Sequence, residues 1–332
     1  MQSKKSLLFL LLVTWFPISS FAQATEEAFK PSGKPEVRLF TNFNSAFRDG
    51  DVSNKFEITR AYFGYSYSFS KTISGRVTFD IGNPGGGSKN PFVGMLKFAY
   101  VQYQKNNLTA NLGMIGSNQF EVQERLWGYR YIYKSLQDEH GFGPSTDLGL
   151  SLKYKLSKQL SADFMLVNGE GFRVAESDSA LKVGIGATWQ PTEAWTIRGY
   201  YDNMTKKSKA QQTYAFVTGY THKKFNLNAE YNYQKENGMI SGHDFWGYSF
   251  YGTVNLKKNF KFFARYDNVD SKAASTGSTG WNIAKDGKLY HAGFEYTPVN
   301  GVKISPNFQG WDPAQQDKSF ISKFYISFEL KI

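Results

Sequence analysis

The end of the chain alternates without a break: Phe324, Ile326, Phe328, Leu330 and Ile332 are apolar, with Lys323, Tyr325, Ser327, Glu329 and Lys331 between them. A period of two is that of a β-strand with one face in an apolar medium and the other in water. The same division runs back through most of the chain. Leu148, Leu150, Leu152 and Tyr154 alternate with Asp147, Gly149, Ser151 and Lys153, and Leu181, Val183, Ile185, Ala187 and Trp189 with Lys182, Gly184, Gly186 and Thr188. Further on, Phe225, Leu227, Ala229, Tyr231 and Tyr233 alternate with Asn226, Asn228, Glu230 and Asn232, and Val302, Ile304, Pro306 and Phe308 with Lys303, Ser305, Asn307 and Gln309. In two segments, 95–104 and 212–220, bulky side chains fall on both faces and the register stays open.

Between these segments the connections alternate in length. Seven are short (70–72, 105–107, 157–159, 191–194, 222–224, 257–259 and 297–301) and eight long ones interleave with them (46–55, 83–94, 117–146, 168–179, 203–211, 237–244, 271–287 and 310–319). Fifteen connections make sixteen strands, an even number with both chain ends on the short-turn side. The pattern predicts an all-β fold, a 16-stranded antiparallel transmembrane β-barrel with short periplasmic turns and long outer loops. A soluble β-sandwich also alternates apolar and polar residues. It gives no reason to place aromatics beside the short turns, as at Tyr67, Phe69, Tyr103, Tyr154, Trp189, Trp195, Tyr220, Phe225, Phe260 and Tyr296.

Composition fits the membrane reading once the barrel's dilution of hydropathy is allowed for. Mean hydropathy is −0.46, yet aromatics make up 17% of the chain, which two interfacial girdles would use. Lys4 and Lys5, an apolar run over 7–18 and the small residues ending at Ala22 read as a secretory signal peptide, 1–22, cleaved after Ala22 or Ala24. A short segment, 23–35, then leads into a barrel spanning 36–332. The chain has no cysteine, which excludes a lipid-anchored lipoprotein and suits passage through an oxidising periplasm.

Most long connections carry the Gly, Asn and Ser of solvated turns. The stretch 117–146 does not. It is the longest, and Phe120, Leu126, Trp127, Tyr129, Tyr131, Ile132 and Tyr133 crowd into it beside Glu124, Arg125, Arg130 and Lys134. So many large side chains should not hang in solvent. One home is the barrel interior, with part of 121–136 helical and narrowing the lumen as a constriction loop; the alternative is a cap on the outer rim or packing against a neighbouring subunit.

Particular motifs carry a family likeness. Arg60-Ala61-Tyr62-Phe63-Gly64-Tyr65, Phe79-Asp80-Ile81-Gly82-Asn83-Pro84, Gln119-Phe120 with 124–131, Asp147-Leu148-Gly149 and Asn168-Gly169-Glu170-Gly171 resemble the outer-membrane porins of Bacteroidota-type bacteria related to the phosphate-selective porin O and P family. The resemblance covers nearly the whole mature chain. It implies a sixteen-stranded barrel, usually a homotrimer, with a loop folded inward. In phosphate-selective members it implies a dense ladder of lumen arginines and lysines. The last strand also resembles the signal read by the barrel-assembly machinery, departing from it by ending in Ile332 instead of an aromatic.

Charge tempers the ladder. The chain carries a formal +11, but Lys71, Lys105, Lys158, Lys223, Lys224, Lys257 and Lys258 lie at short turns against Glu193 alone, a surplus of six outside the pore. The faces assigned to the lumen hold Arg38, Arg60, Arg76, Lys153, Lys155, Lys182, Arg198, Lys261, Arg265, Lys303, Lys323 and Lys331. Against these twelve stand nine acids, Glu36, Asp80, Asp147, Asp163, Asp202, Glu230, Asp267, Glu295 and Glu329, which leaves three. Some of these charges would only pair across the wall. Because charged rings select ions where a pore narrows, the expected function is passive diffusion of ions and small hydrophilic solutes with modest anion preference. A phosphate- or polyphosphate-selective channel is the runner-up.

An outer-membrane barrel enzyme is a remote third reading. His140, His222, His243 and His291 fall in separate connections and strands, without metal spacing or a nucleophile motif. The Gly85-Gly86-Gly87 run lacks the strand-to-helix setting and Lys-Ser/Thr end of a phosphate-binding loop. No cofactor, metal or nucleic acid is expected; the expected partners are the bilayer with its lipopolysaccharide, the assembly machinery and copies of the chain.

Overall fold

Within hydrocarbon every strand N–H and C=O needs a protein partner, and a sheet satisfies that only when its last strand pairs with its first. The computed structural model describes residues 29–83, 92–177, 179–273 and 278–332, and its sixteen antiparallel strands close in this way. They are β1 (Ser32–Arg48), β2 (Asp51–Ser68), β3 (Ile73–Gly82), β4 (Val93–Lys105), β5 (Leu108–Gly116), β6 (Thr146–Lys155), β7 (Leu160–Val167) and β8 (Lys182–Trp189). The second half comprises β9 (Trp195–Lys206), β10 (Lys209–Thr221), β11 (Phe225–Lys235), β12 (Phe245–Lys257), β13 (Phe260–Ser271), β14 (Gly287–Val299), β15 (Val302–Pro313) and β16 (Ile321–Lys331). Each pairs with its neighbours in sequence, and β1 closes on β16 with Arg38 opposite Lys331 and Phe47 opposite Ser322. By its contacts, 31–332 forms one compact unit.

Strand number and order are those the alternation predicts. The expected signal peptide and the Gly85–Gly87 run lie outside the described residues, and the first strand begins at Ser32, before the expected Glu36. Two connections expected to be long are instead two-residue turns. β1 and β2 close over Asp49-Gly50, whose φ values of 53° and 85° are those of a twisted hairpin turn. β9 and β10 close over residues 207–208, with Lys207 at φ 55°. Beyond the apolar band, polar residues such as Ser53, Asn54 and Lys55 keep the ladder paired, so the strands run on where composition suggested loop.

The ambiguous segments resolve for two different reasons. In β4 the ladder to β3 skips Lys97, with Thr78 opposite Phe98 and Phe79 opposite Leu96. A bulge of this kind shifts the alternation mid-strand, and period-two reading fails across it. In β10 Thr213, Ala215 and Val217 are buried, because the inner wall here is covered by protein.

The outer face is apolar throughout, with Phe63, Leu112, Leu148, Ile185, Leu227 and Phe250 all exposed. So continuous an apolar surface suits a bilayer and not water. Aromatic pairs mark both its borders: Tyr67 with Phe69 and Trp195 with Tyr220 near the short turns, Tyr201 with Tyr214 and Tyr266 with Tyr290 near the other end. Ile185, mid-strand in β8, is 54% exposed on this face. Ile185→Arg is expected to cost about 2–4 kcal/mol, read as a lowered denaturant midpoint for folding into vesicles. An equal cost for Asn111→Arg, at the same level of the barrel on the half-buried inner face of β5 where it lines a cavity, would not fit this assignment of faces.

Candidate functional site

The segment between β5 and β6 enters the barrel and lies along its inner wall. It leaves and returns at adjacent points, since Gly116 pairs with Thr146 and the Ser117 N–H donates to the Ser145 carbonyl at 3.0 Å. Two short helices form within it, α1 (Glu121–Trp127) and α2 (Leu136–His140). Each ends on a left-handed glycine, Gly128 at φ 74° and Gly141 at φ 75°, which turns the chain back inside the limited space.

One side of the segment is apolar and packs on the wall from β9 to β15. Trp127 sets its ring edgewise on Tyr251 and Phe263 at 5.6 and 5.8 Å, and Tyr129 lies on Phe263 at 4.4 Å. Phe142 stacks on Phe245 at 4.2 Å. Gly219 in β10 makes room for Leu126, whose Cδ1 would stand 3.0 Å from any Cβ there. Polar bonds fix the position: Arg198 donates to the Asn118 carbonyl at 2.7 Å, Arg265 to the Lys134 carbonyl at 2.7 Å and Gln234 to the Phe142 carbonyl at 2.7 Å. The Tyr131 hydroxyl donates to Glu295 at 3.1 Å, and that of Tyr129 lies 3.0 Å from Thr253 Oγ1.

The other side is charged. Arg130 bridges Glu124 at 3.1 Å and Asp138 at 2.9 Å, and Lys134 holds Glu139 at 3.1 Å. Burial lifts the Glu124 carboxyl above its usual range against the pull of Arg130. For Arg130 burial acts to lower the guanidinium, but Asp138, Tyr62 and Glu124 outweigh it and keep it firmly cationic.

Facing these groups, the wall carries Arg60 on Asp80 at 2.7 Å, with Lys97 3.8 Å from the same carboxylate. Next to them Arg76 bridges Glu36 at 2.5 Å. A cavity of about 630 Å³ opens toward the long-connection end, and its charged lining is Lys55, Arg60, Arg130, Lys134, Arg173 and Lys323 against Glu57 and Glu139. A second cavity of about 330 Å³, toward the short turns, is balanced: Arg76 and Lys153 against Glu121 and Glu124. Lys153 also pairs with Glu121.

The residues singled out from sequence divide into two groups. Arg38 (3.1 Å from Glu329), Arg60, Arg76, Lys153 and Lys303 (3.0 Å from Glu329, 3.5 Å from Glu295) keep part of their surface open. Others are sealed under the segment or in the wall: Arg198 with Asp163 at 2.5 Å, Lys182 with Asp202 at 3.9 Å, and Arg265 with Asp267 at 2.6 Å. Glu230 is buried beside Asn232, and Asp147 accepts the Gly169 and Leu148 N–H groups. Arg125 lines a small cavity of about 140 Å³ with Asp163 and Lys153.

Lys97, Lys55, Glu57 and Arg173 line or border the open space without having been singled out. Lys97 is hidden by the bulge. Lys55 and Glu57 follow from Asp49-Gly50, a hairpin signal that places them on a strand, but nothing local marks Arg173, which folds in from a connection that reads as solvated. Among the described residues no group of three or more His, Asp or Glu is placed to hold a metal ion.

A family model described as "Putative beta-barrel porin-2, OmpL-like" matches residues 139–324, more than half of the chain. No curated protein matches in sequence. Solved structures match in fold. The outer membrane channel DcaP of Acinetobacter baumannii superposes with TM-score 0.65 at 14% identity, covering 92% of this chain and 99% of that one. OprB of Pseudomonas putida gives 0.69 at 8% identity, covering 90% and 94%, and an anion-selective porin from Comamonas acidovorans 0.64 at 11%, covering 91% and 100%.

Proposed function

The chain belongs to the OmpL-like β-barrel porin-2 family, and from that premise we propose that it is a diffusion porin for ions and small hydrophilic solutes with modest preference for anions. Fold and family are those of channels of the bacterial outer membrane. In the proposed arrangement the chain is exported by its first 22 residues, inserted by the barrel-assembly machinery and assembled as a homotrimer in a bilayer bearing lipopolysaccharide. Its short turns face the periplasm. The segment 117–146 is the constriction, and the open members of the charged set (Arg38, Arg60, Arg76, Lys153 and Lys303) line the solute path.

The observation that carries the preference is the lining of the larger cavity, six cations against two carboxylates. A narrow aqueous space with one dominant sign concentrates counter-ions. Most of those cations already hold a carboxylate, as Arg60 does Asp80 and Lys134 does Glu139, so the field is weak and the preference mild. Arg173→Glu combined with Lys323→Glu changes the lining to four against four. Reversal potentials across a KCl gradient are expected to move from anion preference to near neutrality at low salt. The two proteins should converge at 1 M salt, where screening acts within about 3 Å. Unchanged potentials at low salt would place selectivity elsewhere.

A specific feature favours the runner-up, a phosphate-selective channel like the family the motifs resemble. Arg60, Arg130 and Arg173 line one cavity, and guanidinium groups suit phosphate oxygens. Burial, and after it the nearby Arg60, push the Arg173 guanidinium below its usual range, a repulsion that an anion between them would relieve. Single-channel recordings separate the readings: block of chloride current by sub-millimolar phosphate would overturn the general pore.

A further inference from the structure

At the long-connection end the inner wall breaks its own rule. Leu289, Trp311 and Ile321 stand opposite one another in register on β14, β15 and β16, an apolar row on three strands whose other inward side chains, such as His291, Glu295, Asn307, Gln309, Lys323 and Ser327, are polar. The next row toward the short turns is His291, Gln309 and Lys323, again in register. Beside both rows lies a cavity of about 470 Å³, distinct from the three already described though it shares Tyr133, Glu139, Gln309 and Lys323 with the largest of them. Trp311, only partly buried, presents an indole face to this cavity, and Leu289 and Ile321 complete its apolar lining.

The cavity is built from three kinds of surface. Trp311 and Tyr133 give it flat aromatic walls, with His140 of α2 stacked on Trp311 at 5.7 Å. Lys285, from the connection before β14, and Lys323 supply two ammonium groups, neither held in an ion pair among the described residues. The single carboxylate, Glu139, is already taken by Lys134 at 3.1 Å. Finally, the Nε2 atom of His140 is buried and has no hydrogen-bond partner. Burial keeps this imidazole below its usual range and hence neutral, with one ring nitrogen still to be satisfied. Apolar walls with a few convergent polar groups in a space of this size are the makings of a small-molecule site.

The geometry points to a binding site at the outer mouth for a small planar-ring anion, an aromatic carboxylate, with its ring against Trp311 and Tyr133 and its charge at Lys323 and Lys285. A simple ion has no use for the aromatic walls, and a neutral ring none for the two lysines. Bound there, the solute stands beside the cavity proposed as the solute path, so the physiological meaning of the site rests on the channel reading. The binding itself does not.

Benzoate is the probe, with acetate (charge without ring) and benzyl alcohol (ring without charge) as controls, on the full-length protein. Titration calorimetry in detergent should show benzoate bound at least about tenfold more tightly than either control, since stacking and a charge-assisted hydrogen bond are each worth about a factor of ten. Lys323→Gln and Trp311→Leu should each weaken benzoate by about tenfold. Trp311→Phe, which keeps a ring and guards against a folding defect, should lose much less. Benzoate binding no tighter than acetate, or unaffected by both Lys323→Gln and Trp311→Leu, overturns the site. Intact benzoate binding by a protein that conducts no ions in planar bilayers would instead refute the porin reading and leave the site standing.

Discussion

Replacing residues 119–143 by a short Gly-Ser turn is expected to raise single-channel conductance several-fold and to admit sugars that the native protein excludes in liposome swelling. The geometry allows the excision. Because Gly116 and Thr146 already pair across β5 and β6, a tight turn can close the hairpin where the segment now departs, and the strand ladder never depended on it. Its removal takes Trp127, Tyr129, Tyr131 and both short helices out of the lumen. It also uncovers Phe263, Tyr251 and Val217, all buried in the native protein. Some loss of stability therefore accompanies the wider pore, while a closed ladder with an apolar outer face should persist. Unchanged conductance in a correctly folded variant would show that the segment does not limit flow.

The second large effect concerns Arg265. Its guanidinium and the Asp267 carboxylate are both fully buried and joined by bonds of 2.8 and 2.6 Å. It also donates to the Lys134 carbonyl and lies over the rings of Trp127 and Tyr133 at 4.9 and 5.3 Å. Arg265→Ala leaves Asp267 buried without its cation, with the Ser249 hydroxyl as its one remaining side-chain donor among the described residues. Breaking a buried pair from one side typically costs about 3–5 kcal/mol. By contrast Lys55→Ala, which removes an exposed partner of Glu57, should cost under about 1 kcal/mol. Denaturant unfolding in detergent compares the two. Arg265→Met with Asp267→Leu should recover much of the loss, because no charge is then stranded. Both Arg265 variants should conduct with more open-channel noise, since the anchor of Lys134 is gone. A quiet, fully stable Arg265→Ala protein would mean that the aromatic contacts alone hold the segment.

Much of this molecule is legible along the chain because a barrel wall writes its two environments into alternate residues. Leu148 to Tyr154 and Phe324 to Ile332 needed only a period of two, and so did the parity that turns Arg198, Asp163 and Arg265 inward. The same reading failed where backbone geometry breaks the period: the bulge at Lys97 put two successive residues, Lys97 and Phe98, on the inner side. It also failed where composition outweighed a turn signal, as at Asp49-Gly50, hidden among polar residues that belong to strands extending past the apolar band.

The interior obeys different physics. Alternation states that a side chain faces inward, and nothing about what it meets there. Arg198, Lys182 and Arg265 have the same local pattern as Arg38 or Lys303, yet the first three are sealed and the last two keep part of their surface open. For Arg198 and Arg265 the difference arises from a segment that leaves the wall at Gly116, crosses the lumen and covers the strands from β9 to β15, through contacts such as Tyr131 with Glu295, 164 residues apart in sequence. The burial of Thr213, Ala215 and Val217 on the inner face of β10 is likewise an outcome of that packing. The chain by itself determined the barrel, its strand count and the face of most residues, because each depends on the solvent at a single position. Which inward charges stay open and which are sealed, the tertiary structure alone decided, since for most that depends on where one distant segment comes to rest.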